Sequence, residues 1–124
     1  MKKFINLSSH RNGLPFSDAV LVDGTLYLSG RIGFVPGTLN VPDDVSLEVK
    51  YLLDGLREVL TAAEMTMNDL VHVQVFTPDV SLFDTFNSVY TKYFAGDLPA
   101  RAFLGSGPLL MGARFELVAV ARKG

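Results

Sequence analysis

Apolar and polar residues alternate in short runs at the start of this chain. They then recur with helical spacing in two longer stretches and alternate again near the C-terminus. In "AVLVDGTLYLSG", residues 19–30, two apolar runs flank Asp23-Gly24, a pair that favours a type I′ turn. That pattern predicts a hairpin with strands near 18–22 and 25–29. "FVPGTLNVPDD", residues 34–44, is rich in proline and aspartate and reads as a long loop. Val45, Val49, Leu52, Leu53, Leu56, Val59, Leu60 and Ala63 then repeat every 3.6 residues, which predicts a helix. Asp43 or Asp44 is placed to cap its start. "LVHVQVFT", residues 70–77, alternates and is valine-rich, so it reads as a strand. Leu82, Phe83, Phe86, Val89, Tyr90, Tyr93 and Phe94 form an aromatic stripe that predicts a second, core-facing helix. "ARAFLGS" (100–106) and "ARFELVAVA" (113–121) read as strands joined by "GPLLMG", and a short strand fits the N-terminus.

The order is therefore hairpin, helix, strand, helix, strand, strand, with two amphipathic helices to cover one face of a sheet. The other face is mixed. Val71, Val73 and Val75 fall on one side of strand 70–77, with His72, Gln74 and Phe76 on the other. In 113–121, Phe115, Leu117 and Ala119 oppose Arg114, Glu116, Val118 and Val120. A solvated face alternates more cleanly. A mixed face with aliphatic patches is expected to meet another protein surface, and a homo-oligomer built through these faces follows.

The 124 residues fit one domain, 1–124. Hydrophobic residues make up 48% of the chain and charged residues 19%, a core-forming composition. The formal net charge of −2, without blocks of like charge, points to neither nucleic acid nor a membrane surface. There is no cysteine, which excludes disulfides, thiolate metal sites and cysteine nucleophiles. With only His10 and His72, a histidine metal site is not expected. The N-terminal "MKKFINLSSH" has no apolar stretch of signal-peptide length, so a cytoplasmic location is the expectation.

Candidate chemistry centres on "DLPARAFLGS", residues 97–106. Arg101 opens a strand there, and a cation at the edge of a core needs a partner. Glu116 stands in the next strand. If those strands are antiparallel neighbours, the two groups meet near one end of the sheet. The pair is then either a salt bridge or a binding site in which arginine grips a carboxylate and glutamate handles water or a proton. Ser29-Gly30 either ends a strand or lets a ligand approach the backbone. Asn87 is either exposed on its helix or polar for a purpose. His10 and His72 have no acid at a telling spacing and read as structural.

"LYLSGRIG", "FNSVYTKYF", "LPARAF" and "ARFELVAVA" together resemble the Rid family, also called YjgF-like proteins, of imine and enamine deaminases. The resemblance implies an α+β, chorismate-mutase-like fold. It also implies a homotrimer with a central β-barrel, the helices outside and active sites in clefts between subunits. It implies hydrolysis of small 2-imino acids or their enamine tautomers to 2-keto acids and ammonia, with no metal and no organic cofactor. Arg101 matches the family's carboxylate-binding arginine and Glu116 the acid near the attacking water. Ser29, Gly30 and Asn87 match pocket positions, and the Phe103 carbonyl matches one that helps hold the water. Phe16, Arg31 and Phe103 stand where tyrosine, glutamine and cysteine are common in the family, which bears on the choice of imino acid. A carboxylate-binding protein without turnover is the alternative use of the same clefts.

Overall fold

The computed structural model describes residues 1–11 and 13–124. The chain runs β1 (Lys2–Ile5), β2 (Ala19–Val22), β3 (Thr25–Ile32), α1 (Val45–Ala62), β4 (Leu70–Thr77), α2 (Phe83–Tyr90), β5 (Ala100–Gly105) and β6 (Glu116–Arg122). Short 3₁₀ turns extend α2 at both ends, over Val80–Leu82 and Thr91–Tyr93. The strands form one mixed sheet in the order β1-β2-β3-β6-β4-β5. No helix among the described residues is long and apolar enough to cross a membrane.

The β2–β3 hairpin turns where expected. Asp23 and Gly24 both take left-handed φ, 49° and 84°, as a type I′ turn requires. The Asp44 carboxylate accepts the Leu47 N–H at 3.0 Å and caps α1. Leu52, Leu53, Leu56, Val59 and Leu60 of α1 are fully buried. They share one core with Leu26, Leu28, Val73, Val75, Leu117, Ala119 and Ala121 from the helix-covered face of the sheet. Burial of each large aliphatic side chain stabilises the fold by about 1.5–3 kcal/mol. On the opposite face Tyr27 is 54% exposed, and Val118 and Val120 are half-buried.

The structure departs from the sequence reading in three places. β6 begins at Glu116, so the connection from β5 runs over residues 106–115 and is no tight hairpin. β5 and β6 are accordingly not neighbours: β4 lies between them, antiparallel to β6 and parallel to β5. The cause is the helix. A strand, a crossover helix and a strand lay β5 parallel to β4, and β6 takes the central slot between β3 and β4. Finally, Val71 is exposed rather than core-facing, because the β4–β6 register slips between Leu70 and His72.

Candidate active site

β3 carries a bulge. Leu28 pairs with Ala119 and Arg31 with Leu117, so Ser29 and Gly30 together oppose the one residue Val118. The Ser29 N–H donates to the Asp18 carbonyl at 3.0 Å, and its hydroxyl donates to the Ser17 carbonyl at 2.6 Å. Ser29 is thus a tethered point inside the strand, not its terminus. Gly30 lies directly under a carboxylate. A Cβ there would stand 3.1 Å from Glu116 Cδ and 3.2 Å from its Oε2. Glu116 pairs in register with Ile32 and Phe76. The bulge therefore makes a seat for the Glu116 carboxylate on the open face of the sheet.

Arg101 sits in a different place. β5 is an edge strand, and Arg101 pairs with Val73, a core-facing residue, so its side chain leaves on the helix side. Its guanidinium carbon lies 4.7 Å from the Tyr90 ring centroid and 5.6 Å from those of Phe83, Phe86 and Phe103. Four aromatic rings thus hold the cation by their π faces. The Phe103 ring meets Phe83 at 5.2 Å, edge-on, and Phe86 at 5.5 Å, so its bulk packs beneath α2. Asn87 shares the α2 stripe with Phe83 and Tyr90. Its Oδ1 and the Tyr90 hydroxyl are both buried without a hydrogen-bond partner. Burial pushes the Tyr90 phenol up to about 12, against the opposing pull of the Arg101 cation.

These two groups do not meet within one chain. Arg101 and Glu116 lie two strands and three residue steps apart, about 14 Å between Cα atoms, and project from opposite faces. The salt-bridge reading is therefore wrong: among the described residues, no ion pair uses either group. What the sheet offers instead is a cation poised at one edge and a carboxylate poised on the open face. Among the described residues neither has a counter-charge, a costly state for groups with limited access to water.

Arg31 joins neither group. The bulge turns it to the helix side, where its Nη1 stands 3.5 Å from Asp18 Oδ1 and its head packs on Gly55 of α1. Asp18 is the hub the sequence did not reveal. Its carboxylate also accepts the Leu7 N–H at 2.9 Å and contacts His10 Nδ1 at 3.1 Å. His10, without an acid at a telling spacing in sequence, does have an acid partner, brought near by the fold. Phe16 stands in the loop before β2, half-exposed, with its ring edge-on to His10 at 6.3 Å. The aromatic box was visible in sequence only as a core stripe; nothing in its spacing marked Arg101 as its occupant. A hollow of about 270 Å³ lies around Arg57, Thr61 and Tyr93, away from both groups.

A family profile described as Endoribonuclease L-PSP matches residues 10–123. The chain is 41% identical to a mouse protein named 2-iminobutanoate/2-iminopropanoate deaminase, over 89% of this chain and 82% of that one. The human protein of the same name is 40% identical over 89% and 81%. Among solved structures, the Rid-family protein YyfA of Yersinia pestis superposes with a TM-score of 0.91 at 29% identity, covering 99% of this chain and 100% of that one. E. coli TdcF with bound serine gives 0.91 at 25% identity, covering 98% and 99%.

Proposed function

This chain belongs to the Rid family, and from that premise we propose that it is a hydrolytic deaminase of small 2-imino acids and their enamine tautomers. The observation that carries the site is the half-buried Arg101 guanidinium, boxed by four rings and left without a carboxylate partner. Its nitrogen edge takes the substrate carboxylate in two hydrogen bonds. Relatives of about 40% identity named for this deamination, and TdcF with bound serine, support the choice of an amino-acid-like anion.

The open sheet face supports a homo-oligomer, a trimer by the family resemblance. In it, Arg101, Asn87 and the Phe103 backbone of one protomer close over Ser29, Gly30 and Glu116 of the next. The reaction then needs little more than placement. Water, held by Glu116 and the Phe103 carbonyl, attacks C2 of the iminium as Glu116 takes its proton. The resulting 2-amino-2-hydroxy acid receives that proton on nitrogen. The C–N bond then breaks as Glu116 takes the hydroxyl proton and the carbonyl forms, and the departing ammonia takes that proton up. One iminium and one water give one 2-keto acid and one ammonium ion. Phe16, exposed beside the bulge's tether, contributes apolar surface to the cleft.

An imine generated in situ by an L-amino acid oxidase provides the assay, read as keto-acid or ammonia release. Acceleration by the wild-type protein is expected. Arg101→Ala is expected to raise KM about 100-fold, the size of a lost bidentate charge-assisted contact. Saturable carboxylate binding with no acceleration would instead identify a binding protein.

A further inference from the structure

Glu48 is the one fully buried carboxylate among the described residues, and neither the substrate nor the attacking water reaches it. Both of its oxygens are committed to a single residue. Oε2 accepts the Arg114 backbone N–H at 2.8 Å, and Oε1 accepts Arg114 Nε at 2.7 Å. The same guanidinium donates to the Pro42 carbonyl at 2.5 Å. A buried ion pair is weak as a source of stability, because desolvation offsets most of its attraction. Its clearest use is to fix a geometry.

The geometry fixed here is that of Glu116. Arg114 lies two residues before Glu116, at the entry to β6. The segment leading to it turns through left-handed backbone at the surface. Met111 and Gly112 are left-handed, at φ 58° and 66°, and the Leu110 and Met111 side chains are exposed. Glu48 also touches the strand on Glu116's other side. Gly33, just past the end of β3, packs so tightly on α1 that a Cβ would stand 2.1 Å from the Glu48 carbonyl oxygen. β3 supplies both Ile32, the register partner of Glu116, and the Ser29-Gly30 bulge beneath its carboxylate. Glu48 thus meets the entry to β6 through its carboxylate and the end of β3 through its backbone.

We infer that Glu48 is a positioning residue for Glu116: through Arg114 its carboxylate sets where the Glu116 carboxylate stands over the Ser29-Gly30 bulge. The inference rests on the deaminase reading of Glu116. Arg101, which anchors substrate on β5 at the other side of β4, is outside its reach. A displaced base slows the chemical step while substrate affinity stays.

The test compares Glu48→Gln, Arg114→Lys and Glu116→Gln in the oxidase-coupled assay, with kcat and KM measured separately on protein shown folded by circular dichroism. Glu48→Gln keeps an acceptor for the Arg114 N–H but removes the charge that holds the side chain. A fall in kcat of about 10- to 100-fold, with KM within twofold of wild type, is expected for it, and a smaller fall for Arg114→Lys. A kcat within twofold of wild type in both variants, while Glu116→Gln is inactive, would overturn the positioning role and leave the deaminase reading intact. Full activity in Glu116→Gln would overturn both. If Glu48→Gln does not fold, Arg114→Lys alone carries the comparison.

Discussion

A tyrosine hydroxyl buried without a partner is a free-energy cost at a single residue, and Tyr90 has one beside Arg101. Burial pushes its phenol up to about 12, and burial together with a hydrogen bond to Asp54 pushes Tyr93 to about 12 as well. A phenol whose folded value stands above the unfolded value, near 10, binds its proton more tightly when folded. The corresponding stability is complete below about pH 10 and is lost as pH rises through about 12. Alkaline unfolding followed by circular dichroism is therefore expected in that window, and Tyr90→Phe should soften the loss. An identical alkaline limb in Tyr90→Phe would assign the transition to other groups. Tyr90→Phe should also leave thermal stability at neutral pH unchanged or slightly raised, since it deletes an unpaired buried hydroxyl.

The bulge in β3 is the element on which the site depends. Two residues against one turn Arg31 inward and set Ser29 and Gly30 beneath Glu116. Gly30→Ala tests this seat. Gly30 is not in the left-handed region, so its backbone tolerates a Cβ, and the 3.1 Å contact falls on a carboxylate that can swing aside. The variant should fold with a thermal midpoint close to wild type but lose most of its kcat in the imine assay. Unchanged kcat would separate Glu116 from the bulge. Gly33→Ala should behave oppositely. Its Cβ would meet backbone at 2.1 Å, which has no way to yield, so a loss of about 1–3 kcal/mol or more in chemical denaturation is expected. Neither constraint was legible in the sequence. "LSGRIG" shows two glycines at the end of a strand, but only the β6 register reveals the bulge, and only the packing of α1 reveals the close approach. By contrast, the Asp23-Gly24 turn, the α1 stripe and the valine strand were legible because each follows from contacts local in sequence. The placement of β6 was not, since it depends on which strands a crossover helix brings together.

At the scale of the whole molecule, the sheet divides the proposed site. Arg101 and Glu116 were both recognisable from the strands that carry them, yet sequence proximity suggested an intramolecular pair that the strand order forbids. With opposite faces and about 14 Å between Cα atoms, the proposed deaminase site needs a second protomer to bring them together. This predicts that oligomer and activity are lost together. A charge placed on the open face, such as Val118→Asp, should yield a smaller species in sedimentation without imine hydrolysis. An active monomer would contradict the shared site.

Complementation between two inactive variants tests the central claim most directly. Arg101→Ala keeps Glu116, and Glu116→Gln keeps Arg101. Refolded separately, each should show little hydrolysis of oxidase-generated imine. Refolded together in equal amounts, a ring with one site at each subunit junction regains roughly a quarter of wild-type activity, the share of junctions where both intact residues meet. Activity no greater than the mean of the two separate variants would show that Arg101 and Glu116 do not act across a subunit boundary.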